Sequence, residues 1–425
     1  IQLTGVDTTV LGSAGALQNL SENYLYTLEA FGDYWDRLTD DGILSLSYPD
    51  YGFWGYRSIS MLLKLLSDRG ITEPERHILI ARSGGYVGIL AKRTPFTREE
   101  AAEISGHFEH KMYGLLLPLY FELWGQHMPE DGMDFYVNRP FLEQQQVLYD
   151  PYTPRRTPHA KLVQSWKVAG DTPRFWNRVM GGFTPSRDDS PFFMLPIRVG
   201  GQFAERIVWL LIPVALFILL PLLVFRRRGL ALSGSLPLAI YFACLGFAFI
   251  AIEVTLLQKF ILYLGHPSQS FAVVLGTLLV ASGVGSLLSP RLARSPLRGA
   301  LLGVAGIVVY TGLLLAGLEA FGGFLLGASL SGRLLGACLV LAPLGLFMGT
   351  MFPNGIRLLG EKADEFVPWA WGINGSLSVI GSIMSLFLAI EIGFRMLMIT
   401  AVAVYLLAAL SAAWAAWRTR LPGAA

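Results

Sequence analysis

His77-Ile78-Leu79-Ile80-Ala81 and Tyr86-Val87-Gly88-Ile89-Leu90-Ala91 are two apolar runs separated only by Arg82-Ser83-Gly84-Gly85. Each has the length and β-branched content of a strand. A link of four residues with two glycines permits only an antiparallel hairpin, because a parallel crossover needs a dozen residues or more. Upstream the pattern alternates. Ile1–Leu3 is a short apolar stub. Ser21-Glu22 opens a helix carrying Tyr24, Leu25, Leu28, Phe31, Trp35 and Leu38 at helical spacing. Asp40-Asp41-Gly42 is a turn, Ile43–Ser47 a strand, and Arg57–Leu66 a second helix ending near Arg69-Gly70. Downstream, Thr97-Arg98-Glu99-Glu100 is a capping box that starts a third helix.

The order is strand, helix, strand, helix, strand, tight turn, strand. A parallel sheet closed by one antiparallel hairpin strand corresponds to the back half of a methyltransferase-type Rossmann sheet. Such a sheet holds ligands at the C-terminal ends of its strands. The chemistry is therefore expected in Thr4-Gly5-Val6-Asp7-Thr8, the loop after the first strand. Asp7 has two readings there, a turn former or an anionic contact to an amine or sulfonium group.

Composition divides the chain. It has 425 residues, 53% hydrophobic and 15% charged, against about 25% charged in soluble proteins. Residues 1–206 carry 20 Lys+Arg and 25 Asp+Glu, whereas 207–425 carry 13 and 6. This excludes a disordered chain and points to a soluble half joined to a membrane half. The net charge of +2 excludes a globally basic nucleic-acid binder, so no nucleic-acid partner is expected. Cys244 and Cys338 lie in apolar runs and read as small buried hydrophobes, not as a disulfide framework or zinc site. Ile1-Gln2-Leu3 reads as the interior of a strand, so a fragment lacking its N-terminal part is expected. The expected domains are 1–106, a partial Rossmann-like domain; 107–200, an irregular connector with short helices; and 201–425, a multi-pass helical membrane domain. In the connector, Leu115–Trp124 is apolar but too short to span a bilayer, and Tyr149–Pro158 reads as a Pro-rich loop.

Seven stretches are long enough to span: Ile207–Phe225, Leu236–Leu262, Phe271–Leu288, Ala300–Leu318, Leu334–Phe352, Trp369–Ile390 and Met396–Trp417. After Glu319, Phe321-Gly322-Gly323-Phe324 reads as a short interfacial segment. Ala281 with Gly285, Ser282 with Ser286, and Ser378 with Ser382 are small-xxx-small pairs that let helix backbones approach. Loops after the first, third and fifth stretches, with the tail, hold ten Lys and Arg. The opposite loops hold Lys259, Arg333 and Arg395. The positive-inside rule places the ten, and the C-terminal tail, in the cytoplasm of a cell (inner) membrane protein. With seven spans that leaves residues 1–206 outside, so the side of the soluble half stays open. Glu253, with Gln258 and Lys259 after it, and Asn374 are intramembrane polar candidates, either functional or packed inward. Lys259 reads as snorkelling to the interface. His266, Asn354 and Glu391 are further polar positions. Trp369 and Trp371 suit an aromatic belt.

Thr4-Gly5-Val6-Asp7, the run Ser21–Tyr26 and Asp40-Asp41-Gly42-Ile43-Leu44 resemble the second half of a spermidine-synthase-like domain. Thr184-Pro185-Ser186-Arg187-Asp188-Asp189-Ser190-Pro191-Phe192-Phe193 resembles the TDDRPFF segment of that family's membrane-bound members. Ile252–Phe260, Leu264-Gly265-His266-Pro267, Phe352-Pro353-Asn354-Gly355 and Pro368–Gly375 resemble their membrane domain. The resemblance implies transfer of an aminopropyl or methyl group from S-adenosylmethionine or its decarboxylated form to a small amine, as in polyamine biosynthesis. The cofactor loop is not in this chain. In the family's Asp-x-x-Asp-Pro motif the first Asp is the base. Thr4 stands there, and a threonine hydroxyl is no base near neutral pH, so the catalytic residue is unassigned. Asp7 matches the second Asp, which contacts substrate or cofactor. Tyr24 and Tyr26 read as substrate clamps or as core-facing aromatics. Asp188 and Asp189 read as metal ligands or as a solvated turn, and no metal is expected. The competing reading is a polytopic transporter-like membrane protein with an inactive Rossmann domain. The oligomeric state is not readable from the sequence.

Overall fold

The structure is a computed structural model. It describes residues 1–4, 22–49, 54–83, 86–110, 146–153, 155–169, 185–192, 235–358, 360 and 363–418, together with 209, 212, 213, 220 and 224. The chain forms two compact units, Ile1–Arg198 and Val199–Ala425.

The first unit is built on a mixed five-stranded sheet. Its strands are β1 Gln2–Thr4, β2 Ile43–Pro49, β3 Ile78–Ser83, β4 Tyr86–Lys92 and β5 Gln146–Tyr149. Their spatial order is β1-β2-β4-β3-β5. β1 and β2 are parallel, with Leu3 opposite Leu46. β4 runs antiparallel to both β2 and β3 and lies between them, so β3 points the same way as β2. The expected hairpin forms, but its strands extend further than the apolar runs suggest. Ser83 pairs with Tyr86, which leaves a link of two glycines outside the described residues. β5 adds antiparallel to β3 with an irregularity at Ile80/Ala81.

Helices α1 Leu28–Asp36, α2 Trp54–Asp68, α3 Arg98–His110 and α4 Pro158–Ala169 complete the unit. Side chains alternate across a strand, and β3 shows the consequence. Ile78 and Ile80 enter a core with Phe31, Trp35, Leu62, Leu66 and Trp166. Leu79 and Ala81 enter a smaller one with Phe96 and Ala101. Both faces of the sheet are thus covered.

Two expectations need correction here. The first helix does not start at Ser21-Glu22. Glu22–Tyr26 is a 3₁₀ turn, and α1 begins only after Thr27, whose Oγ1 accepts the Ala30 N–H as N-cap. The Pro-rich run is not a loop throughout. Tyr149 closes β5 and Pro158 opens α4, where a proline at the first helical position costs no hydrogen bond. Strand β5 and helix α4 join the sheet and core of the first hundred residues. Phe321–Phe324 is helical, inside the helix Pro296–Leu326 and beyond its candidate span Pro296–Leu318.

The second unit contains α5 Ser235–Leu264, α6 Pro267–Leu292, α7 Pro296–Leu326, α8 Leu330–Arg357 and α9 Ala363–Arg418. Among the described residues five helices are long and apolar enough to cross a membrane. Helix α9 breaks at Gly393, with φ 83° and ψ 164°, backbone angles open in practice only to glycine. The stretches Trp369–Ile390 and Met396–Trp417 lie on its two arms. Ile207–Phe225 lies outside the described residues apart from isolated positions.

Small residues set the packing. Ser282 and Gly285 of α6 meet α8, where Ser282 Oγ donates to the Gly345 carbonyl at 3.0 Å. A Cβ on Gly285 would overlap the Leu346 carbonyl oxygen, and one on Gly349 would overlap that of Ser282. In α7, Gly322 lies against the Tyr263 ring, where a Cβ would overlap it. Ser378 Oγ reaches the Gly246 carbonyl of α5 at 3.3 Å, and Ser411 Oγ of the second α9 arm donates to Pro237 at 2.6 Å.

Candidate functional site

In the first unit the C-terminal ends of β1 and β2 lie side by side, with Thr4 opposite Ser47. Asp7 lies outside the described residues. Tyr24 and Tyr26, on the 3₁₀ turn, are both buried. Tyr26 belongs to the main core, its ring 5.8 Å from that of Tyr48. Tyr48 is enclosed, and burial raises its phenol well above the ordinary value while a bond with Ser58 opposes the shift. It stays protonated at neutral pH.

Arg57, in the first turns of α2, is the largest fully buried side chain of the structure. Desolvation lowers its guanidinium from the ordinary value to about 9, still protonated at neutral pH. Its Nη1 donates to the Phe192 carbonyl at 2.9 Å. That carbonyl belongs to 185–192, a segment that straps the starts of α1 and α2 together. The Leu28 N–H donates to Ser186 O at 2.8 Å, and Thr27 Oγ1 donates to Asp188 Oδ1 at 2.7 Å. The Asp188 N–H donates to Glu29 Oε2 at 3.1 Å. The Asp188 and Asp189 turn is closed by Arg187 pairing with Ser190. Asp188 is therefore engaged at a helix start. Among the described residues no group of three His, Cys, Asp or Glu side chains could hold a metal.

Next to this edge, His159 stacks on Tyr56 with ring centroids 4.5 Å apart and planes 15° from parallel. The described part of the edge offers donors, phenols and one buried cation.

A cleft of about 280 Å³ opens elsewhere in the unit, lined among others by Glu75, Arg76, Tyr149, Asp150, Arg155 and Lys167. It lies by the C-terminal end of β5 and the turn before β3, hence at the opposite end of the sheet from Thr4. Its groups hold one another. Lys167 pairs with Glu75 at 2.7 Å and Arg76 with Glu73 at 3.3 Å. Asp150 Oδ1 accepts the N–H groups of Tyr152 and Thr153 at 2.8 and 2.7 Å. Burial, followed by the charges of Glu75 and Asp150, raises the Tyr149 phenol, which donates to the Glu75 carbonyl. Sequence reasoning passed over this cleft. Its one local signal is Asp150-Pro151-Tyr152-Thr153, an Asx-turn pattern.

No family model and no curated protein matches the chain.

In the second unit the polar candidates are not gathered. Asn374 Nδ2 donates to the Phe242 carbonyl at 3.3 Å. Glu253 is half-buried eleven residues further along α5, roughly 16 Å at 1.5 Å per residue. Gln258 is fully buried a turn and a half beyond. Asn354, named above only in passing, is fully buried and bonds at both ends. Its Nδ2 donates to Thr350 O at 2.8 Å and its Oδ1 accepts from Arg357 Nη1 at 3.3 Å. His266 precedes α6 without a side-chain cap bond, and Glu391 is exposed. Trp369 is buried and Trp371 exposed. Tyr241, whose hydroxyl donates to Met351 O at 2.6 Å, is a tie that apolar periodicity does not single out.

Proposed function

We propose that this chain is an integral membrane, spermidine-synthase-like protein that transfers an aminopropyl or methyl group from S-adenosylmethionine or its decarboxylated form to a small amine. The observation that carries the reading is one antiparallel strand, β4, set between the co-directional β2 and β3. This order supports the back half of a methyltransferase-type Rossmann sheet, which would bind its ligand at the strand ends, the end of β1 marked by Thr4. Asp7 contacts the amine or sulfonium. Arg57 and the strap hold the two helix starts that frame this edge. The membrane unit completes a multi-pass bundle of about seven spans, with the arginine-rich loops in the cytoplasm.

Isothermal titration of the full-length protein with each donor tests the reading. Binding of one donor is expected, and binding of neither overturns it. Protease protection of residues 1–206 in inverted vesicles reads the side on which the sheet lies.

A second reading is a transporter-like protein with an inactive Rossmann domain. Gln258, fully buried in an apolar helix, favours it, because a polar group at membrane depth is costly without a task. Uptake of amines or cations into proteoliposomes by the wild type and Glu253→Gln tests it. Equal uptake removes Glu253 as the coupling group.

A further inference from the structure

The turn Ala293–Ser295 joins α6 to α7 at one end of the helical unit, and four arginines converge on it. Arg291 sits in the last turn of α6, Arg294 in the link, and Arg298 in the first turn of α7. All three are exposed. The fourth, Arg357, closes α8 and is fixed. Its Nη1 donates to Asn354 Oδ1 at 3.3 Å, and its Nη2 donates to the Arg294 carbonyl at 3.2 Å. Asn354 is itself fully buried and lies against Gly299, where a Cβ would come within 2.5 Å of its Oδ1. The Arg357 side chain therefore crosslinks the end of α8 to the turn and is held there by packing.

Like charges concentrated in one turn repel, and among the described residues no carboxylate pairs with any of the four. Directly flanking them, Leu287 and Leu292 on α6 and Leu301 and Leu302 on α7 are exposed. Both helices are candidate spans, so this turn falls at the level of lipid headgroups. A fixed guanidinium, three further arginines and a flanking leucine surface match a phosphodiester with acyl chains below it.

We propose that the α6–α7 turn and the end of α8 form a binding site for the headgroup of an anionic phospholipid. The occupant is a bilayer lipid rather than a free anion, because the apolar flank has no use for phosphate alone. The proposal does not depend on the reaction assigned above.

The test uses the full-length protein in mixed micelles with phosphatidylglycerol or phosphatidylcholine, read by native mass spectrometry and thermal melting. Arg294→Gln with Arg298→Gln is the informative variant, since both side chains are exposed and neither supports the core. Arg357→Gln serves as a second variant, read only where it melts cooperatively. The wild type is expected to retain phosphatidylglycerol in preference to phosphatidylcholine and to melt higher in its presence. The double variant is expected to retain it about tenfold less well. Equal retention of both lipids, unchanged retention in the double variant, or an equal rise in melting temperature with inorganic phosphate alone would each overturn the proposal.

Discussion

The two units are held together by opposite means. In the sheet unit, bulky side chains fill the space between layers: Phe31, Trp35 and Trp166 against Leu44, Leu46 and Ile80. In the helical unit, the closest approaches occur where side chains are missing, at Gly285 on Leu346 and at Gly349 on Ser282. Water explains the first arrangement, because each large apolar side chain removed from it contributes roughly 1.5–3 kcal/mol. Lipid explains the second. Acyl chains are as apolar as leucine, so helices gain little by hiding leucines from them and associate through close backbone contact. Volume changes should therefore have opposite consequences in the two units. Removing atoms damages the first, and adding them damages the second.

The largest effect is expected in the sheet unit. Phe31→Ala deletes a ring with no exposed surface and should cost about 3–5 kcal/mol. Amide exchange of α1 and α2 in the full-length protein would show it as a loss of protection confined to that unit. A change below about 1 kcal/mol would break the comparison at its first term.

The helical unit supplies the second test. Gly285→Val forces a side chain into the Leu346 carbonyl and should destabilise by about 1–3 kcal/mol or more. Gly283→Val, on the same helix with nothing within 4 Å of its Cβ, should leave the melting temperature in detergent unchanged. If both valines cost the same, helix propensity and not close packing governs α6, and the contrast between the units fails.

The sequence made these two architectures legible to different depths. Strands β2, β3 and β4 could be read from apolar runs and the Gly-Gly link, because local pattern determines a hairpin. Strand β5 could not. Val147-Leu148 is too short a run to announce a strand, and Ala81, which pairs with Val147, is far away in the chain. A helical start at Ser21-Glu22 is the wrong reading because Tyr24 and Leu25 continue the apolar spacing of α1 upstream of its cap. The cap at Thr27 depends on Asp188, 161 residues away, which no local window contains. In the membrane half, length and apolarity marked the spans. The small-residue pairs of α6 were visible as well, but not that Gly345 and Gly349 were their partners. The Asn354–Arg357 tie is equally non-local in effect, because its consequence is felt at Arg294 in the turn between α6 and α7.

A third, smaller effect sharpens the comparison at a helix start in the sheet unit. Thr97 and Glu100 form the reciprocal pair expected of a capping box. The Glu100 N–H donates to Thr97 Oγ1 at 3.1 Å, and the Thr97 N–H donates to Glu100 Oε2 at 2.8 Å. Thr97→Ala should cost about 1 kcal/mol, seen as faster exchange in the first turn of α3 alone. Faster exchange in β3 and β4 as well would mean that the cap supports the sheet and not merely the helix end.

The smallest effect belongs to the same carboxylate. Lys92 Nζ donates to Glu100 Oε1 at 2.5 Å. That bond, followed by the Thr97 N–H, holds the Glu100 carboxyl below its ordinary range. A carboxyl depressed in the folded state binds its proton later than in the unfolded chain. Its contribution is therefore complete above the ordinary carboxylate range and is lost as pH falls through the folded value. Because 38% of the side chain is exposed, solvent screens the pair, and only a few tenths of a kcal/mol are expected. Exchange of the first turn of α3 should quicken, relative to the rest of the sheet unit, as the pH is lowered through the carboxylate range. Glu100→Gln should remove that pH dependence while keeping a neutral acceptor for the Thr97 N–H.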